Sequence, residues 1–223
     1  MIATLSSAVP IDLGRASRAA ARPALGAPVL EAEAIEKRYG ATCALAGANL
    51  RLMPGTVHAL MGENGAGKST LVKILVGALA PDAGSLRLDG RPVLHASVAA
   101  AIRAGIVPIY QHFTLFDHLS VHENLAAFDL AAGPGWRTAR HLLPPERAVE
   151  LLAAVGLDGD LARPVSTLSL GERQLLEIAR GLGMACKVLL LDEPTAALSP
   201  AEAARLFAVI ERLRRDGAAI LYI

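Results

Sequence analysis

The chain has only two cysteines in 223 residues and a formal net charge of only +1. It also has no apolar run approaching the ~20 residues that cross a bilayer. Each shortage removes a class of protein. Cys43 and Cys186 show neither CxxC spacing nor the pattern of a disulfide framework, so the expectation is two buried, reduced thiols. Without a spanning segment, any membrane is reached through a partner. A near-neutral charge with no basic run gives no field or track for a phosphate backbone, and no nucleic-acid partner is expected.

What is present is a 53% hydrophobic composition, enough for one compact α/β domain or a domain with a small lobe. Residues 1–28 differ from the rest. They are rich in Ala and Arg (Arg15, Arg18, Arg22), carry Pro10, Pro23 and Pro28, and show little periodicity. Arg-rich, acid-poor starts occur in organelle transit peptides, but a loose tail is the commoner origin. The segment is read as a disordered extension outside the fold.

From Val29 the pattern is regular. Thr56–Met61 is a short apolar strand leading into a glycine-rich loop, and Ser69–Val76 is a helix stopped by Gly77. Asp89 and Gly90 between Ser85–Leu88 and Pro92–Leu94 signal a hairpin, hence a small antiparallel piece. Val98–Ala104 is a helix ended by Gly105, and Ile106–Tyr110 is a buried strand. After Gln111 the character becomes helical. Ser120 and Glu123 make a capping box, Gly133 to Gly135 a loop, and Pro144–Val155 a helix. His118 and His122 have i, i+4 spacing, but the Ser120 cap between them leaves His118 outside the helix, so they need not share a face for a metal. Val188–Leu191 is a strand bounded by Asp192. Ser199, Pro200 and Glu202 open a helix running to about Arg215, and Ala218–Ile223 is a further central strand. A sequence that stops within an apolar strand reads as a truncated domain.

Three stretches carry chemistry. Gly62, Glu63, Asn64, Gly65, Ala66, Gly67, Lys68 and Ser69 fit GxxxxGK[ST] in full, followed by Thr70. Residue usage alone produces that pattern in on the order of one chain in a hundred of this length, and seldom between a strand and a helix. The glycines let backbone N–H groups converge on phosphate, and the helix adds its positive end. Lys68 supplies a point charge and Ser69 a hydroxyl for Mg²⁺. Val188 to Pro194 places Asp192 and Glu193 at the C-terminal edge of a strand, where ligands gather in open sheets. There Asp192 would hold Mg²⁺ and Glu193 would polarise an attacking water. Leu168 to Gln174 opens a helix Leu170–Leu182 through a capping box of Ser169 and Glu172. Alone, that last stretch reads as a capped helix, and an Asp-Glu strand end as a helix cap.

The order of these stretches resembles the ABC transporter ATPase family over nearly all of 29–223. Tyr39 stands where that family stacks an aromatic on adenine, and Gln111 where its lid glutamine contacts nucleotide and metal. Leu168–Gln174 looks like the signature motif, Asp192 and Glu193 like the Walker B pair, and Ala196–Ser199 like the D-loop. Against the common LSGGQ, this chain has Leu170 and Glu172 in the third and fifth places, and Ser199 replaces the D-loop aspartate. Both departures resemble the branch of monosaccharide and nucleoside importers, whose cassettes are often fused in pairs, this chain matching the first.

The resemblance implies a P-loop NTPase fold: a RecA-like parallel sheet with flanking helices, a small antiparallel β subdomain and a helical insert. The nucleotide core would be 29–111 and 181–223, with 112–180 the helical subdomain. It implies ATP and Mg²⁺ held by Tyr39, Gly62–Thr70, Gln111 and Asp192, with Lys68 and Glu193 catalytic. Ser169 and Gly171 would act in trans on the nucleotide of a second ABC ATPase domain. Further implied partners are transmembrane permease subunits and, indirectly, a periplasmic or extracellular binding protein, which puts the chain at the cytoplasmic face of the inner membrane. The family's switch histidine would follow Ile223, so residues 1–223 alone are expected to bind ATP with little turnover. A non-transport ABC ATPase of ribosomes or chromosomes is the competing class. Those usually carry basic arms or coiled-coil inserts, and none is found in the sequence.

Overall fold

A computed structural model describes residues 26–63, 65–93, 97–110, 114–132, 143–183, 186–195 and 198–223. It contains two four-stranded sheets. The first runs β2 (Thr42–Leu52), β1 (Leu30–Tyr39), β4 (Ala83–Leu88), β5 (Arg91–Pro92), all antiparallel. The second runs β3 (Val57–Ala59), β8 (Ala219–Tyr222), β7 (Val188–Leu191), β6 (Ile106–Ile109), all parallel. The helices are α1 (Lys68–Leu75), α2 (Val98–Ala104), α3 (Val121–Ala132), α4 (Pro145–Val155), α5 (Leu170–Leu182) and α6 (Pro200–Arg215).

β6, β7 and β8 read as unbroken apolar runs because both of their faces are covered. Val188, Leu190, Ala219 and Leu221 face one cluster, shared with α1 and the antiparallel sheet. Leu189, Leu191 and Ile220 face the other, shared with α4, α5 and α6. Each fully buried leucine of β7 contributes roughly 1.5–3 kcal/mol, so a charge in β7 would have no tolerated orientation. α5 lies close on the sheet at Gly181, where Val107 leaves no room for a side chain.

The Asp89–Gly90 hairpin forms, but the antiparallel part is larger than that hairpin. β1 and β2, each ten residues or longer, make up most of it. Their signal is masked by a bulge. Leu30 and Ala32 face inward, then Ala34 adopts φ +51° and the buried position moves to Ile35. One extra residue breaks the period-2 alternation. Asn49 Oδ1 accepts from the Ala34 N–H at 2.9 Å and holds the bulge. The expectation of two buried thiols holds for one. Cys186 packs on the helical-side core, and burial pushes its thiol up to about 12. Cys43 is exposed. Lys37 pairs with Leu45 but Arg38 with Cys43, so a bulge between Cys43 and Leu45 turns Cys43 to the opposite face at the hairpin end of β2.

His118 lies before α3 and stacks edge-on to Phe116, whereas His122 Nε2 bonds the Leu143 carbonyl at 2.7 Å. Among the described residues no cluster of His, Cys, Asp or Glu suits a metal, and no helix is long and apolar enough to cross a membrane. The Gly133–Gly135 loop and most of 1–28 lie outside the described residues.

Candidate functional site

Parallel strands in register end together, and the loops that follow them share one edge. Leu60 N–H donates to Tyr222 O, Asp192 N–H to Ile109 O, and Ile223 N–H to Leu191 O, at 2.8, 3.0 and 2.9 Å. The ladder therefore continues past β3, β7 and β8 and brings the glycine loop beside Asp192 and Glu193.

The loop turns through Gly65 at φ +84° and Gly67 at φ +88°, conformations that L side chains rarely adopt. At Gly67 a Cβ would sit 2.5 Å from Ala44 O and 2.8 Å from Leu45 Cδ2, so the loop packs directly on β2. Tyr39, half exposed, pairs with Thr42 at the hairpin end of β2, two residues from that contact. Gly62, Glu63, Gly65, Ala66 and Ser69 are exposed, while Lys68 and Thr70 are partly covered. Asn64 and Gln111 lie outside the described residues.

Helix caps separate this loop from the other helix starts. α5 and α6 each open with a full capping box, Ser169 with Glu172 and Ser199 with Glu202. α1 has Gly67 at its N-cap, no side-chain cap bond and no acid in its first turn. Its leading N–H groups and positive helix end are left without a side-chain acceptor or countercharge. Lys68 Nζ meanwhile donates to its own loop, to Gly62 O at 2.5 Å and Glu63 O at 2.9 Å. Uncapped amides and an ammonium group parked on a nearby carbonyl pair suit an anion of several charges.

Across the edge the need is opposite. Burial raises the carboxyl pKa of Asp192 above its ordinary value, the charge of Glu193 raises it further, and Lys68 opposes both. A partly buried Asp192 carboxylate with the exposed Glu193 carboxylate beside it suits a divalent cation. Glu193 takes φ +47°, rare for a side chain of its size, and its N–H reaches Ile223 O at 3.2 Å. A left-handed residue costs about 1–2 kcal/mol, so the aim of that carboxylate is set by the strand end rather than by local preference.

The signature-like segment is not brought to this edge by its own helix. The buried residues of α5 belong to the cluster on one face of the parallel sheet and those of α1 to the cluster on the other. Glu202 Oε1 accepts from the Ser169 hydroxyl at 2.8 Å and from the Gly171 N–H at 3.1 Å. Sequence reasoning recognised Glu202 only as the cap of α6. Its reach to Ser169, 33 positions away, has no local signal.

A second group was not legible either. Glu177 and Arg180, both buried on α5, hold Thr114, the first described residue after Gln111. Glu177 Oε1 accepts from the Thr114 N–H at 2.5 Å and from its hydroxyl at 2.9 Å, while Arg180 donates to the Thr114 carbonyl and hydroxyl. Burial raises the Glu177 carboxyl despite these bonds. The i, i+3 acid–base spacing is common on exposed helix faces, so it could not single the pair out.

Residues 45–196 match the family model described as ABC transporter. The chain is 47% identical over 199 residues to "Ribose import ATP-binding protein RbsA 2" of Streptomyces avermitilis, covering 88% of this chain and 39% of that protein. It is 45% identical over 197 residues to "Ribose import ATP-binding protein RbsA 1" of Rubrobacter xylanophilus, again 88% and 39%. The chain thus spans about two fifths of the length of these curated relatives, 39%. Among solved structures it resembles the ADP conformation of MJ1267, an ATP-binding cassette of an ABC transporter. That match has TM-score 0.77 and 27% identity, covering 88% of this chain and 80% of that one. It also resembles cbiO1 of Clostridium perfringens, part of the ABC transporter complex cbiONQ, at TM-score 0.72 and 28% identity, covering 88% and 78%.

Proposed function

Because this chain belongs to the ABC transporter family, we propose that it is the ATP-binding and ATP-hydrolysing part of an importer for ribose or a related sugar. The observation that carries the reading is the uncapped, acid-free start of α1 behind a glycine loop, set opposite the Asp192 carboxyl, whose pKa burial raises. The substrate class is supported by the ribose-import names of the relatives and by Leu170, Glu172 and Ser199.

In this reading the loop amides from Gly62 to Thr70 and the Lys68 ammonium bind the β- and γ-phosphates, and Lys68 leaves the Gly62 and Glu63 carbonyls to do so. Tyr39 offers its half-exposed ring to the base, and Gln111 would be a further nucleotide contact. Ser69, Gln111 and Asp192 would hold Mg²⁺, which when bound would supply charge neutralisation of the transferring phosphate. Glu193 would orient water and accept its proton as the new oxygen–phosphorus bond forms and the bond from the γ-phosphorus to the bridging oxygen breaks, with ADP as the leaving group. Ser169 and Gly171, on the other face of the sheet, serve the nucleotide of a second cassette. The helical segment 112–180 engages permease subunits at the cytoplasmic face of the membrane.

The test is the full-length native protein co-purified with its permease and reconstituted in vesicles. ATPase activity is expected to rise with ribose and its binding protein. A chain that retains ribosomes instead, with no permease and no sugar response, overturns the transport reading.

A further inference from the structure

The start of α5 offers two donors to one point, and a single carboxylate oxygen holds both of them. Glu202 Oε1 accepts from the Ser169 hydroxyl at 2.8 Å and the Gly171 N–H at 3.1 Å. Its other oxygen, Oε2, accepts from the Ser199 N–H at 3.0 Å and hydroxyl at 2.7 Å. One side chain therefore clamps the first turn of α6 onto the first turn of α5. The fit is close. A Cβ on Gly171 would lie 2.5 Å from Glu202 Cγ and 2.6 Å from Oε1, so only glycine admits the carboxylate. These bonds hold the carboxyl near 2, and it is an anion at every physiological pH.

α5 already has its own capping box. Glu172 accepts from the Ser169 N–H at 2.7 Å, and Ser169 Oγ accepts from the Glu172 N–H. The helix does not need Glu202 to be capped. The Ser169 hydroxyl proton and the Gly171 amide are the donors left over for an anion from outside, and they are the two that the proposed function gives to the nucleotide of a second cassette. Two oxygen anions cannot share that position, because each would need the same two protons.

Resting on that reading, we infer that Glu202 is an internal competitor for nucleotide. Its carboxylate fills the anion position of the signature helix in the open chain and must swing out, releasing the α5–α6 clamp, before a phosphate from the partner cassette docks. Its two oxygens divide the work, so Oε2 can keep its bonds to Ser199 while Oε1 leaves. The clamp thus raises the ATP concentration needed for closure, because phosphate has to displace a charge-assisted pair of hydrogen bonds rather than water.

The experiment uses the full-length native protein carrying Glu193→Gln to suppress hydrolysis, with and without Glu202→Gln. Radiolabelled ATP with Mg²⁺ is titrated, and nucleotide retained through rapid desalting reports closure. Glu202→Gln is expected to reach half-maximal retention at roughly tenfold lower ATP, the difference between a charged and a neutral acceptor. Glu202→Ala, which also loses part of the α6 cap, should shift in the same direction while melting lower. Initial binding of fluorescent ATP at the Lys68 loop should be equal in all of them. An unchanged or higher half-point in both Glu202 variants overturns the inference and leaves the proposed function standing. A parent protein that retains no nucleotide at any ATP concentration overturns the reading beneath it.

Discussion

Lys68→Ala separates a nucleotide-binding loop from a glycine turn that happens to carry a lysine. Two opposing terms set the size of the effect. An ammonium group 4 Å from a phosphate charge is worth ~4 kcal/mol at an effective dielectric of about 20. Against that, Lys68 gives up its bonds to Gly62 O and Glu63 O, at 2.5 and 2.9 Å, when it turns to the ligand. Each such bond contributes about 1 kcal/mol net. The difference, about 2 kcal/mol, corresponds to a roughly 30-fold loss of MgATP affinity. Stability should fall by no more than the about 2 kcal/mol of those two bonds, since Gly62 and Glu63 are exposed and water takes over their carbonyls. For a domain of this size that is at most about 4–8 °C in melting temperature. Fluorescent-ATP titration and thermal melting on the same preparations decide the matter. Affinity within threefold of the parent, with melting unchanged, would refute the assignment of the loop. A large fall in melting temperature would instead show that the Lys68 bonds are structural.

Gly67→Ala attacks the same loop through its backbone. It puts a side chain at φ +88° and 2.5 Å from Ala44 O, and left-handed strain plus overpacking should cost about 2–5 kcal/mol by denaturant unfolding. Glu193→Gln should keep MgATP affinity within a few-fold while steady-state hydrolysis falls at least ~100-fold, as general-base losses do; equal turnover in the two proteins would remove Glu193 from the chemistry. Acid sensitivity follows from Glu202 and Glu211, whose hydrogen bonds to Ser199 and to Arg214 hold both carboxyls near 2 against an ordinary 4.5. A depressed carboxyl gives stability that is complete above the unfolded value and fades as pH falls toward the folded one. Melting temperature should therefore decline between about pH 4.5 and 2, less steeply in Glu202→Gln, and an identical decline in both proteins would count against the Glu202 bonds.

The parts of this molecule written in short-range code were legible from the residues alone. The Gly62–Ser69 loop, the Gly105 stop of α2, the capping boxes at Ser120, Ser169 and Ser199, and the apolar runs of β6, β7 and β8 depend on neighbours within four or five positions. Their propensities and periods therefore carry the information. β1 and β2 did not survive that reading, because the bulge at Ala34 shifts the buried face by one residue and only pairing with Asn49 and Gly84 makes the shift favourable. Cys43 follows the sequence parity of Leu45 and is still exposed, because a bulge visible only in the pairing with Lys37 and Arg38 turns it to the other face. The same limit applies to the chemistry. Which carboxylate sits on Ser169 and Gly171, and which buried pair holds Thr114, depends on contacts spanning 31 to 66 positions. A sequence names the groups that can donate and accept. Only the tertiary fold brings distant ones within 3 Å and raises the pKa of Asp192 by burial while four hydrogen bonds depress that of Glu202.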